Sequence, residues 1–191
     1  MSILTDRDVM AAVRAGDIVL EPFDPQCLGT NSYDVHLGPT LKTYHDVYAD
    51  KSGHELVPLD VSKPRATRSH EIPEGGFVLM PGELYLAATV EYTESHLHVP
   101  VLNGKSSLGR LGLMIHVTAG FGDVGFCNHW TLEMVVVKPL RVRPGMAIAQ
   151  LCWHTALNPP LVPYSSKPDA KYVSRSAQPQ ASESHRNFHK P

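Results

Sequence analysis

Phe77-Val78-Leu79-Met80-Pro81-Gly82-Glu83-Leu84-Tyr85-Leu86-Ala87-Ala88-Thr89-Val90-Glu91 holds two short β-rich runs, 77–80 and 84–91, split by a Pro-Gly corner. Proline presets φ at the first corner position and glycine accepts positive φ at the second, so the segment reads as strand, turn, strand. The same grammar recurs outward along the chain. Runs at 33–37, 41–48, 130–137 and 147–153 alternate or are rich in β-branched and aromatic residues, and Arg143-Pro144-Gly145 marks another corner. Many short strands between turns predict a mainly β chain, an antiparallel barrel or jelly roll, rather than alternating β and α units. No internal repeat is visible.

The ends differ from this middle. Thr5-Asp6-Arg7-Asp8, followed by Val9, Ala12 and Val13 and then Gly16, combines a capping box, an apolar stripe at helical spacing and a glycine stop, which predicts one short N-terminal helix. Residues 51–74 are polar and rich in Pro, Ser and charge, and read as a long loop or lid. Residues 165–191 carry few large apolar side chains and cannot build a core alone; they read as a flexible tail that orders by docking, after a β domain over 1–164.

With 191 residues, 42% of them hydrophobic, the chain can bury one good core. Its 17 basic and 19 acidic residues leave a formal charge of −2, which gives no field for general nucleic-acid binding, so a polyanionic ligand needs a local basic cluster. No apolar run approaches bilayer length, and MSILTDRD lacks a signal peptide's basic start and apolar stretch; no membrane partner and a cytoplasmic location are expected. Cys27, Cys127 and Cys152 are scattered and odd in number, which suits reduced thiols and indicates neither a disulfide frame nor a cysteine-based zinc site. His96 and His98 read as two same-face residues of one strand, not as metal ligands.

Three segments carry chemistry. In Gly104-Lys105-Ser106-Ser107-Leu108-Gly109-Arg110, hydroxyl residues open a helical turn between basic side chains, a design that offers donors to an anion; read alone, Ser-Ser before a helix is more often an ordinary cap. Glu133 lies within Trp130-Thr131-Leu132-Glu133-Met134-Val135-Val136-Val137, apolar enough for a buried strand. Burial would raise its pKa and suit it to proton transfer, whereas an edge strand would turn it to water or to a structural arginine partner. His116-Val117-Thr118-Ala119-Gly120-Phe121-Gly122-Asp123 runs from a strand into a glycine-rich turn, where Asp123 either holds a ligand hydroxyl or closes the turn.

Together these segments resemble the dCTP deaminase branch of the dUTPase superfamily. The likeness runs in order through Leu4-Thr5-Asp6-Arg7-Asp8, Ser32-Tyr33-Asp34-Val35-His36-Leu37-Gly38, Pro81-Gly82-Glu83, residues 104–113 and 116–126, Thr131-Leu132-Glu133, Pro144-Gly145-Met146 with Gln150, Pro163-Tyr164 and Asp169-Ala170-Lys171-Tyr172. It implies a distorted β-barrel of the dUTPase-like, β-clip type, assembled as a homotrimer with active sites between subunits and a tail that closes over nucleotide. It implies Glu133 as the catalytic carboxylate, Ser106 and Arg110 organising the phosphates and the site, and the Ala119 carbonyl holding the attacking water. Asp123 would lie by the deoxyribose, Tyr164 and Lys171 would reach the phosphates, and Lys105, Ser107 and Gln150 join the substrate-binding set. Four departures stand out: His36 and Lys105 occupy positions where arginine is usual, Gly120-Phe121 stands where the dUTP-forming enzymes have His-Arg, and Gly122 replaces an isoleucine.

The resemblance implies hydrolytic deamination of dCTP to dUTP and ammonia. The alternative is a bifunctional enzyme that carries dCTP through to dUMP, ammonia and pyrophosphate, which Thr118-Ala119-Gly120 favours; a silent nucleotide-binding protein is the third reading. The H-x-E and P-C-x-x-C signature of zinc deaminases is absent, so no zinc is expected, and Mg²⁺ enters only with the triphosphate. dTTP is a candidate feedback inhibitor on which the sequence is silent.

Overall fold

The computed structural model describes residues 2–45 and 58–188. Helix α1 (Asp6–Ala15) begins where Thr5 predicts, and Gly16, at φ 82°, ends it. The backbone N–H and then the hydroxyl of Thr5 donate to Asp8 Oδ2 at 2.9 and 2.7 Å, and these two bonds hold the Asp8 carboxyl below its usual pKa. Its apolar stripe buries Val9 and Ala12 against the barrel.

The strands are β1 (Ile18–Glu21), β2 (Tyr33–Tyr44), β3 (Thr67–Glu71), β4 (Phe77–Leu79), β5 (Tyr85–Ser95), β6 (His98–Gly104), β7 (Leu113–Met114), β8 (Cys127–Val136), β9 (Leu140–Val142) and β10 (Ala147–Thr155), with the one-turn helix α2 (Ser106–Gly109) after β6. Eight of them form one antiparallel sheet in the order β6-β10-β2-β5-β8-β7, with β1 along β5 and β3 along β2, while β4 and β9 pair separately. The result is the distorted antiparallel barrel that the turn spacing predicts. The Pro-Gly corners at Gly82 and Gly145 adopt φ 86° and 73°, as glycine permits.

Period-2 patterning fills the core. Along β8, Asn128, Trp130, Leu132, Met134 and Val136 face inward and are buried, while Cys127, His129, Thr131, Glu133 and Val135 alternate on the more open face. Tyr33, Leu37 and Leu41 of β2, Leu102 of β6, and Ile148, Leu151 and Trp153 of β10 meet that inward row in one cluster.

The structure corrects three expectations. The runs at 33–37 and 41–48 are one strand as far as Tyr44, and the break between them is a register shift between Leu37 and Leu41. Residues 46–48 lie outside the described residues, as do 51–57 of the expected loop. The described remainder of that loop contains β3, which is half-open to solvent along its length, so its composition is that of a loop although its backbone pairs with β2. Finally, His96 lies in the turn after β5 and His98 opens β6, so the two do not share a strand.

Leu132 is fully buried in this cluster. Leu132→Ala should lower unfolding free energy by about 2–5 kcal/mol, read from urea melts with an unchanged slope.

Candidate active site

The open face of β8 forms the floor of a cavity of about 750 Å³, within the range that small-molecule sites occupy. Thr131 and Glu133 rise from that floor, beside Leu86 of the neighbouring β5, and the glycine-rich turn supplies a wall with Ala119, Phe121 and Asp123. Glu133 is half-buried, and one of its carboxylate oxygens, Oε2, accepts the backbone N–H of Val117 at 3.0 Å. The strand is therefore neither wholly buried nor an edge that turns its carboxylate to water. Glu133 instead faces a cavity and is aimed by the same segment that forms the cavity wall.

The turn is fixed by packing. Leu102 N–H donates to Gly120 O at 2.6 Å and Gly122 N–H donates to Pro100 O at 2.8 Å, which stitches the turn to β6. A Cβ on Gly120 would lie 2.5 Å from Leu102 O, so only glycine fits there. A Cβ on Gly122 would lie 2.5 Å from Trp130 Cη2 and 3.0 Å from Pro100 Cγ. The Trp130 ring thus fills the volume that an isoleucine side chain would take at this position. Phe121, between these two glycines, is 67% exposed and turned to the cavity mouth.

The tail closes the remaining side. Tyr164 and Lys171 line the cavity together with Lys167, whose ammonium lies 3.7 Å from Asp123 Oδ2. Asn128 anchors the tail from inside the barrel: its Nδ2 donates to Tyr172 O and Ser174 O at 3.0 and 2.9 Å, and its Oδ1 accepts Ser176 N–H at 3.0 Å. Gln180 N–H donates to Thr131 Oγ1 at 3.1 Å, and Lys42 Nζ donates to Pro179 O at 2.8 Å. Burial pushes the Tyr172 phenol above its usual pKa, and its oxygen accepts Glu183 N–H at 3.2 Å. The segment is held against the barrel of its own chain largely through backbone groups, whereas the sequence points to docking on a ligand or a neighbouring subunit. Asn128 and Lys167 belong to the site without a sequence signal that marks them; Asn128 in particular is one polar residue in an inward-facing row.

The expected site residues divide into two groups. Glu133, Ala119, Asp123, Tyr164 and Lys171 meet at the cavity, whereas Lys105, Ser106, Ser107, Arg110 and Gln150 do not line it. Ser106 and Ser107 of α2 and Arg110 just after it are exposed; at four residues α2 aligns too few peptide dipoles to act as a helix terminus, so the donors here are individual hydroxyls and a guanidinium. Lys105 makes a close ion pair with Asp34 of β2, beside Gln150, which registers with Asp34 across β10 and β2. His36, the other arginine replacement, bonds Glu91 through both its ring and its backbone, Nδ1 to Oε1 at 2.5 Å and N–H to Oε2 at 2.8 Å, which satisfies a carboxylate that is only 2% exposed.

A family model described as dCTP deaminase-like matches residues 3–156. A Leptospira biflexa protein named dCTP deaminase, dUMP-forming, is 46% identical over 153 residues, covering 80% of this chain and 82% of the relative. Proteins of the same name from Cytophaga hutchinsonii and Clostridium acetobutylicum are 51% identical over 139 residues and 47% identical over 138, covering 73% and 72% of this chain and 75% and 74% of theirs. Among solved structures, the 2'-deoxycytidine 5'-triphosphate deaminase from Agrobacterium tumefaciens has the same fold, with a TM-score of 0.61 at 21% identity over 81% of this chain; the match spans about half of that longer chain, 48%.

Gly122→Ile should destabilise the fold by about 1–3 kcal/mol through overpacking against Trp130. Placing Trp130→Leu in the same chain should recover part of that loss, and a double-mutant cycle in urea measures the coupling.

Proposed function

The chain belongs to the dCTP deaminase-like family, a family of hydrolytic deaminases, and from that premise we propose that it converts dCTP through to dUMP, ammonia and pyrophosphate. The observation that carries the deaminase reading is the Glu133 carboxylate, held by Val117 N–H on the floor of the cavity beside Ala119 and Asp123. The expectation of dUTP as end product gives way to the bifunctional alternative, which is favoured by the relatives' name, dUMP-forming, and by the Thr118-Ala119-Gly120 turn.

In this reading Glu133 takes a proton from a water that the Ala119 carbonyl helps to hold, and the hydroxide adds to C4 of cytosine. The proton passes to N3, and the tetrahedral intermediate collapses with loss of ammonia. A second water then cleaves the α–β phosphate bond, so one dCTP and two waters give dUMP, ammonia and pyrophosphate. Asp123 turns from Lys167 to the sugar hydroxyl, while Tyr164 and Lys171 bind phosphate oxygens. Mg²⁺ carried on the triphosphate would supply further charge neutralisation there, beside Lys167 and Lys171.

Ser106 and Arg110 lie outside the cavity of their own chain, which supports a homotrimer in which the α2 of one subunit completes the cavity of the next. Leu111, Met114, Val117 and Val137 are exposed around α2 and β7, and an apolar surface of this kind is what subunit contacts cover. Among the described residues no helix is long and apolar enough to cross a membrane.

Incubation with dCTP and Mg²⁺ should release ammonia, dUMP and pyrophosphate in equal amounts, resolved by chromatography and coupled assays; accumulation of dUTP with no pyrophosphate would restore the simpler deaminase. Glu133→Gln should slow ammonia release by about 10²–10⁴-fold with nucleotide affinity nearly unchanged, since the amide keeps the shape but cannot cycle a proton. Glu133→Gln and Arg110→Ala subunits, each inactive alone, should regain activity when unfolded and refolded together. Absence of recovery would mean that both residues serve one subunit's site.

A further inference from the structure

Beyond the cavity, the face of β8 that carries Glu133, Thr131 and His129 continues to Cys127. Cys127 pairs across the sheet with Glu94 of β5, and His96 follows two residues later in the turn. One donor atom from each of Glu94, His96 and Cys127 lies within 4.8 Å of the other two. We propose that these three side chains form a binding site for one zinc-class divalent cation, through a carboxylate oxygen, an imidazole nitrogen and a thiolate.

The donor set selects the ion class. A thiolate with imidazole and carboxylate suits zinc and its borderline-soft neighbours, while Mg²⁺ and Ca²⁺ take oxygen shells. Tetrahedral bonds to such an ion set neighbouring donors about 3.3–3.8 Å apart. His96 Nε2 and Glu94 Oε2 are now 2.8 Å apart, sharing a hydrogen bond, so modest side-chain rotation opens them to that span. The pieces are accessible but not loose: the side chains of His96 and Glu94 are 44% and 26% exposed, and Cys127 is half-buried.

An outer partner is already in place. Tyr92 OH donates to Glu94 Oε1 at 2.7 Å, leaving Oε2 for the ion. Ligand carboxylates are held by such hydrogen bonds in known metal sites. The backbone around the cluster is cross-linked as well: Ser95 N–H donates to Phe126 O at 3.2 Å and Gly125 N–H to Ser95 O at 2.7 Å. Three protein ligands leave one position for water. The site is separate from Glu133, and none of its three ligands lines the cavity.

Binding is a proton exchange. The incoming ion forms the metal–sulfur bond as the Cys127 S–H bond breaks, and that proton goes to solvent. The imidazole proton moves to Nδ1 so that the Nε2 lone pair meets the ion. Affinity should therefore weaken as pH falls.

The test is titration of the chelator-stripped full chain with Co²⁺, then displacement by Zn²⁺. One equivalent of Co²⁺ should bring a near-ultraviolet thiolate-to-metal charge-transfer band, which Cys127→Ser should abolish. His96→Ala, at an exposed position, should fold normally by circular dichroism and weaken Co²⁺ binding by more than about 100-fold, while Tyr92→Phe should weaken it by about 10–100-fold, the usual effect of losing an outer partner. Absence of the band in the unmodified chain overturns the site. So does a band that survives Cys127→Ser, which would place the thiolate at Cys27 or Cys152, or wild-type affinity in His96→Ala.

Discussion

The register of β5 against β8 sets Leu86 opposite Glu133 and Ala87 opposite Leu132. Side chains alternate along a strand, so a slip of one residue would drive Glu133 into the core and turn Leu132 outward. Burying an unpaired carboxylate there would cost several kcal/mol. The row Trp130, Leu132, Met134 and Val136 therefore fixes more than the core: by fitting the interior, it forces Cys127, His129, Thr131 and Glu133 onto the face where chemistry is available. Stability and site geometry are two sides of one strand.

That coupling explains what was legible in the chain. The alternation of 130–137, the Pro-Gly corners and the capped helix are local patterns, and each appears near its expected place. So does the gathering of Glu133, Ala119 and Asp123, because strand and turn are close in sequence and the turn folds back onto the strand. β3 was read as loop because a strand half-open to solvent has no apolar face to announce it. Asn128 was invisible as an anchor because its partners, Tyr172, Ser174 and Ser176, lie more than forty residues away. The cluster of Glu94, His96 and Cys127 depends in the same way on a cross-strand register, and no local spacing rule brings a cysteine to a histidine thirty-one residues before it.

At three positions near the site a side chain and its neighbour fit one another. Trp130 occupies the volume beside Gly122, Glu91 is bonded by His36, and Asp34 holds Lys105. Lysine is a point charge on a flexible stem where arginine is a planar fork, so Lys105 can leave Asp34 for a phosphate without having to satisfy two directed bonds at once. The exchange costs bidentate geometry and leaves the positive charge in place.

The tail presents the sharper constraint. Its backbone is held by Asn128, Thr131 and Lys42, groups of the barrel itself, whereas its side chains Lys167 and Lys171 face the cavity. Anchoring through backbone leaves the lysines free of structural duty, and Lys167 rests against Asp123 in place of a ligand. Under the proposed function, a triphosphate would offer these ammonium groups a denser negative charge than one exposed carboxylate, so the Lys167–Asp123 pair would yield first and the backbone anchors need not break. On that proposal, closure would require only a rearrangement of side chains. A tail so held limits the entropy lost on binding, since the ordering of its backbone precedes the ligand.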